Sequence, residues 1–447
     1  MIYHSPGNLF PAVVELDSQS ANRKSQFAIS PPMRLAIAGC FLGIFLLLIW
    51  NAGRAGFSSL LSSYASMSNK IVPANAAVTL SPANPDAHYL RGAMLAAAGY
   101  LPGAIHEYQE AALRRPDDYV LWLTLARALE LNADVAGALA ASRQAVQLAP
   151  HDARPHWLLG NLLLRAGQRD EAFRELRQAG ASNPTLLPAT IDLAWQLSGG
   201  DVQFVKQAIQ PQTPEAYLAL AQHFKKRRAV TEAIAMYVAA GPAAQQERGS
   251  YLSELISAKR FPEAYALWSV DHPANPNGPD LGGLGIMIDP GFEQESNLDE
   301  PGFGWRAGNK AHTLHLALDA SAPGEGRSSL RVEFDGDSDP GSPVISQLVL
   351  IEPHSHYQLH FAARTAELVS GGLPRVLVID AGDQHVLGQS PEFPQETNNS
   401  WQDFTIDFNS GESTTAVQIA LQRESCSKSP CPIFGRLWLD NFSLSKL

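Results

Sequence analysis

The chain has 447 residues, of which 45% are apolar and 17% charged, and a net charge of −11. That composition excludes a globally disordered chain, and the absence of a strongly basic stripe excludes an ordinary nucleic-acid binder. The length points to roughly two to four domains.

Residues 1–32 are polar, rich in Ser, Asn and Pro, and without a clear period, so they read as a disordered tail. Residues 33–52 follow as MRLAIAGCFLGIFLLLIWNA, with no charge between Leu35 and Trp50. About 20 helical residues cross a bilayer core; Arg34 suits one interface and Trp50 the other. Arg23, Lys24 and Arg34 precede the run, and Arg54 and Lys70 follow it. This bias places the N-terminus inside and the bulk of the chain outside the cytoplasm. The expectation is a single-pass protein of a bacterial inner membrane, with a cytoplasmic tail and periplasmic C-terminal domains. A cleaved signal sequence, with Ser63-Tyr64-Ala65 as a small-x-small site, is the competing reading, although both the apolar run and the tail are long for one. Residues 53–72 are read as a juxtamembrane linker.

An internal repeat occupies the next 200 residues or so. Ala104, Ala138 and Ala172 are 34 residues apart, as are Ala111, Ala145 and Ala179, and Pro116, Pro150 and Pro184. Gly92, Ala126 and Gly160 keep the same spacing at another small position. Small residues let paired helices approach, large apolar ones fill the layers between them, and proline stops the second helix of each pair. A period of 34 with this chemistry resembles the tetratricopeptide family. Three full repeats cover 85–118, 119–152 and 153–186, with Trp122 near the start of the second, Trp157 one place later in the third, and Tyr108 on a second helix. Beyond 186 the pattern decays through Gly199-Gly200, and weaker repeats continue to about residue 270. The resemblance implies an all-α solenoid over 73–270 whose first helices line a groove for a protein partner. Carried over, the groove positions are Tyr89, Leu123, Arg127, Trp157, Asn161 and Arg165, with Gln222 and Lys225 further along. Arg127, Asn161 and Arg165 suit a carboxylate or an extended backbone, and an aromatic such as Trp157 suits an anchor.

Residues 271–283 are dense in Pro, Gly and Asn and read as a linker. From 284 to 447 the helical period gives way to short alternating runs at 314–318, 330–334, 357–361, 376–379, 404–408, 417–421 and 437–439. Seven or more such runs predict an antiparallel β-sandwich. Asp289-Pro-Gly-Phe-Glu293 with Gly304-Trp305, then Gly326-Arg-Ser-Ser-Leu330, then Trp401-Gln-Asp-Phe404, and finally Leu437-Trp-Leu-Asp-Asn-Phe442 resemble jelly-roll carbohydrate-binding modules of the galactose-binding-like fold. That resemblance implies a structural calcium held by Glu293 and Asp440. It also implies glycan stacking on exposed aromatics, with Trp305, Tyr357, Trp401 and Trp438 as candidates.

Cys40 lies in the apolar run. Cys426 and Cys431 are separated by Ser-Lys-Ser-Pro, a turn that can bring two Cβ atoms to bridging distance, and an oxidising compartment would favour a disulfide there. No Gly-x-Ser-x-Gly elbow, phosphate loop, His-Glu-x-x-His or dinucleotide fingerprint is present, so no catalytic residue is assigned. The expected architecture is therefore multidomain: a transmembrane helix, an all-α tetratricopeptide solenoid and an all-β jelly-roll sandwich. The expected function is a non-enzymatic scaffold, with a protein partner in the solenoid groove and polysaccharide contact by the sandwich, in exopolysaccharide or cell-envelope assembly. A carbohydrate-active enzyme or its accessory subunit, and a structural tether without sugar affinity, are the alternatives.

Overall fold

The computed structural model describes residues 31–68, 70–272, 284–294, 297–308, 314–321, 323–337, 339–428 and 430–447. Residues 1–30 of the expected tail at 1–32 and 273–283 of the expected linker lie outside these residues, and residues 31 and 32 begin the first helix. The chain divides into two compact units, 1–168 and 169–447, and the division falls inside the third repeat.

The first unit contains α1 (Pro31–Ser68), α2 (Ile71–Leu80), α3 (Pro85–Ala97), α4 (Leu101–Arg114), α5 (Tyr119–Leu131), α6 (Val135–Leu148) and α7 (Ala153–Arg165). The apolar run forms the first half of α1, and none of its described side chains is buried. It is long and apolar enough to cross a membrane. Residues 53–68, expected as linker, continue the same helix. Their small residues explain this: Ser58, Ser62 and Ala65 are buried on the side that packs against α2 and α3. The Ser58 hydroxyl donates to the Ala77 carbonyl at 2.9 Å, and Arg54 Nε donates to the Leu80 carbonyl at 2.9 Å.

The 34-residue period recurs in local chemistry. Asn84, Asp118 and Asp152 cap α3, α5 and α7, each side chain accepting the second helical N–H at 2.9–3.0 Å. Such a cap is worth about 1 kcal/mol. The turns inside the hairpins carry Gly99, Ala133 and Gly167, all at positive φ of 61–78°. Ala133 therefore holds a left-handed conformation that glycine takes without penalty. Ala104, Ala111, Ala138 and Ala145 are fully buried where helices meet. A Cβ on Gly92 would lie 2.8 Å from the Tyr108 ring, which is why α3 and α4 require glycine there.

The second unit opens with α8 (Arg169–Ser182), α9 (Leu187–Ser198), α10 (Val202–Ile209), α11 (Pro214–Lys226), α12 (Val230–Ala239), α13 (Gln245–Ser257) and α14 (Phe261–Trp268). Gly199 and Gly200, both at positive φ, end α9 early and break the period. Ten strands follow: β1 (Arg306–Ala307), β2 (Leu314–Asp319), β3 (Ser329–Asp337), β4 (Ile345–Leu350), β5 (His356–Ser370), β6 (Pro374–Asp380), β7 (Val386–Gln389), β8 (Gln402–Asn409), β9 (Ala416–Arg423) and β10 (Pro432–Lys446). They form two antiparallel sheets of order β1-β4-β9-β6-β7 and β2-β3-β10-β5-β8. All seven expected runs are strands. Alternation in the sequence does not disclose β1, β4 and β7, of which β1 and β7 are short edge strands. The core between the sheets includes Val332, Leu359, Phe361, Val378, Ile419 and Leu437, all under 2% exposed.

Candidate functional site

In the first unit the ring at the start of each first helix has a structural role. His88 Nε2 lies 2.9 Å from the Pro82 carbonyl, Trp122 Nε1 donates to the Pro116 carbonyl at 2.8 Å, and His156 Nε2 lies 2.9 Å from the Pro150 carbonyl. The three pairs sit 34 residues apart. His156, not Trp157, is thus the counterpart of Trp122, and Trp157 is half-buried one position on.

The groove positions divide into two groups. Leu123 is 4% exposed and belongs to the core shared by α3 to α7, so it is not a groove residue. Tyr89 packs half-buried against Tyr108, with ring centroids 5.8 Å apart. These two rings pack between α3 and α4 of one hairpin. Arg127 and Arg165 are exposed, and Asn161 is half-buried. Arg165 already pairs with Glu130 of α5. Asn161 donates to the Trp157 carbonyl at 2.7 Å, leaving its amide oxygen to accept. Arg127 has no ion-pair or hydrogen-bond partner among the described residues. Arg127, Asn161 and Trp157 therefore remain as candidates. In the second unit Gln222 is exposed, and Lys225 pairs with Glu254 at 2.6 Å while lying over the Tyr251 ring.

In the sandwich, three of the four aromatic candidates are closed off. Trp305 is 3% exposed, packs against Phe292 and Phe442, and donates Nε1 to the Asp289 carbonyl at 3.0 Å. Tyr357 is 3% exposed, stacks on Phe408, and accepts the Glu352 N–H at 2.9 Å. Trp438 is 5% exposed: its Nε1 donates to Asp319 at 2.8 Å, and the Arg364 guanidinium lies 4.2 Å over its ring. A ring covered in this way has no face for a sugar. Trp401, half-buried just before β8, keeps part of its surface. Arg364 is a site residue that the sequence does not announce. Phe361-Ala-Ala-Arg364 reads as a strand and nothing more, and only pairing with β10 brings Arg364 beside Trp438.

Glu293 and Asp440 do come together. A Cβ on Gly291 would touch both carboxylates. Asp440 is fully buried and accepts the N–H groups of Gly324 at 2.8 Å, Glu325 at 3.2 Å and Asn441 at 2.8 Å. Burial pushes its carboxyl up, those N–H bonds pull it back only in part, and neighbouring Glu293 adds to the rise. Glu293 accepts the Arg327 N–H at 2.9 and 3.0 Å. Two crowded carboxylates, one of them without solvent, form a hard oxygen set that suits a divalent cation. The described residues contain no cluster of three or more His, Cys, Asp or Glu side chains arranged for a metal, so further ligands would be backbone carbonyls or water.

Cys426 and Cys431 are bonded to each other. Arg423 donates to the Cys431 carbonyl at 2.7 Å and so ties the bridged loop to β9. Cys40 is a free, exposed thiol.

No protein-family description matches the chain, and no curated protein matches it. Solved structures do resemble parts of it. The crystal structure of MamA is 18% identical, with a TM-score of 0.30 over 35% of this chain and 89% of that one. The Pseudomonas aeruginosa protein pilF is 17% identical, with a TM-score of 0.31 over 44% of this chain and 97% of that one. YrrB, described as a TPR protein with an unusual peptide-binding site, is 20% identical, with a TM-score of 0.31 over 39% of this chain and 90% of that one. The chain carries an apolar N-terminal helix, a stack of tetratricopeptide-type hairpins and a C-terminal two-sheet β-sandwich.

Proposed function

We propose that this protein is a membrane-anchored, non-catalytic scaffold of a bacterial inner membrane. α1 holds it in the bilayer, the helical hairpins receive a protein partner, and the sandwich contacts a glycan outside the cytoplasm. The observation that carries this reading is α1 itself: an uncharged run with no buried side chain that continues without a break into the packed face of the first hairpins. In water, such a run would leave a large apolar surface exposed. The charge bias across the run and the disulfide in a surface loop support an extracytoplasmic location for the rest.

On the hairpins, Arg127 would donate to a partner carboxylate or backbone carbonyl. The Asn161 amide oxygen would accept a backbone N–H, and Trp157 would supply apolar contact. In the sandwich, Glu293 and Asp440 would hold a calcium ion, which neutralises their mutual repulsion and fixes the loop carrying Gly324 to Arg327. Assembly of exopolysaccharide or cell envelope is the setting that a protein-binding stack joined to a glycan-binding module would serve; this link is by analogy of architecture.

Cell fractionation tests the anchor. The intact chain is expected in the carbonate-resistant membrane pellet, its sandwich cleaved by protease added to spheroplasts. Deleting residues 33–52 should release it. Recovery of the intact chain in the soluble fraction, or a sandwich protected until the inner membrane is opened, would overturn the reading.

A further inference from the structure

The described strands β2, β3, β10, β5 and β8 carry three arginines, and two of them, Arg331 and Arg436, have a carboxylate within 4.0 Å. Arg331 lies 3.8 Å from both Asp319 and Glu333, Arg436 lies 4.0 Å from Glu367, and His360 lies 3.5 Å from Asp403. Arg364 has no ion pair or hydrogen bond among the described residues, although it is only 6% exposed. Its Nε is buried without a hydrogen-bond partner, and an unmatched buried donor is costly.

The surroundings of Arg364 are built in layers. Strand register puts it opposite Trp438 on β10, and Ala363 beside it pairs with Gln402 on β8, one residue after Trp401. Its guanidinium carbon lies 4.2 Å from the Trp438 ring centroid and 5.5 Å from that of Trp401. Both indoles attract the cation through their ring faces. Trp438 is itself fixed by Asp319. Trp401 is backed by the loop at Gly324, where a Cβ would lie 3.3 Å from the ring. The position of Arg364 is therefore set before any ligand arrives, and Trp401 stands beside it, half-buried.

We propose that this face binds an acidic glycan, with Arg364 pairing to the carboxylate of a uronate residue while Trp401 packs against a sugar ring. The proposal rests on the glycan-contact reading above and names the class of sugar. A fork of parallel N–H donors matches a carboxylate in two bonds, and the part of Trp401 that stays open offers a sugar apolar contact. The net charge of −11 offers a polyanion no long-range attraction, so selectivity has to come from this local contact.

The test uses the full chain in detergent and isothermal titration calorimetry with galacturonate, glucuronate and mannuronate oligomers. Each is compared with its methyl ester, which keeps the ring and removes the charge. At least one acid is expected to bind roughly 10- to 100-fold more tightly than its ester, the worth of one charged hydrogen-bonded pair. Arg364→Met should abolish that difference. Arg364→Lys, which keeps the charge without the planar fork, should retain only part of it. Trp401→Ala should weaken acid and ester alike. Near-UV circular dichroism checks that each variant is folded, and the Lys variant decides the matter if the Met variant is not. Equal affinity for acid and ester, or an acid preference that survives Arg364→Met, would overturn the uronate assignment and leave glycan contact standing. No binding of any acid, ester or neutral homologue would overturn both.

Discussion

Two of the buried carboxylates, Glu107 and Asp440, are held on opposite terms. Glu107, 3% exposed, receives the Arg91 guanidinium and His88 Nδ1. Burial pushes its carboxyl up, but the bonds from Arg91 and His88 outweigh that and hold it below the usual range. Asp440 is just as deep and has backbone N–H groups alone, with a second carboxylate nearby in place of a cation, and its carboxyl sits above the usual range. The first site is complete in itself, whereas the second has donors for its oxygens but nothing to balance its charge. Depth therefore does not decide whether a buried acid stabilises a fold; the sign of its neighbours does.

The comparison can be broken most directly at Glu107. Glu107→Ala leaves Arg91 and His88 facing a void and should cost about 3 kcal/mol, read as faster hydrogen exchange in α3 and α4. An unchanged exchange rate there would mean that the cluster is ornamental. At Asp440 the sharper probe is the metal. Calcium at 100 times its dissociation constant should stabilise the sandwich by about 2.7 kcal/mol, and a chelator should remove that gain. Asp440→Asn should melt at one temperature with or without calcium; a calcium shift persisting in that variant would place the ion elsewhere.

Acid titration should separate the two sites with a smaller effect. The Glu107 pKa is lowered on folding, so its contribution is present above the unfolded value of about 4.5 and drains away as pH falls through the folded value. The Asp440 pKa is raised, so without metal its carboxyl favours folding below about 3.8 and loses that effect as pH rises through the folded value. Acidification in chelator should therefore loosen α3 and α4 in wild type more than in Glu107→Gln. It should also favour the sandwich more in wild type than in Asp440→Asn. Matching pH slopes in wild type and both variants would erase the contrast. The smallest expected effect is at Ala133, which stands at positive φ where its repeat counterparts are Gly99 and Gly167. Ala133→Gly should stabilise the second hairpin by roughly 0.5–1 kcal/mol, seen in urea melts.

The contrast between local and distant partners also explains how much of the molecule is legible in its amino-acid sequence. In the hairpins each partner lies within one period, so spacing announces contact: the buried alanines, the prolines and the hairpin boundaries are all visible there. Two details escape. His156 carries the ring role that an aromatic-only pattern gives to Trp157, because the shared property is a ring nitrogen and not an aromatic face. Leu123 reads as groove surface, yet its neighbours on α4 and α6 bury it. In the sandwich the strands are legible from alternation, but the exposure of their aromatics is not. Trp438 depends on Asp319, 119 residues away, and on Arg364 from a strand not adjacent in sequence. Alternation tells which face a residue takes; it does not tell what lies on top of it.

The uninterrupted course of α1 has a mechanical consequence. Were its apolar half to sit in a bilayer, as proposed, residues 53–68 would form a stiff mast roughly 24 Å tall at 1.5 Å per residue. The first hairpins are lashed to that mast through Ser58, Ser62 and Ala65, so they cannot swivel as they would on a loose tether. Tilting the embedded half would swing the Arg127 face by the same angle, and a partner reaching that face would meet it at a set height above the lipid.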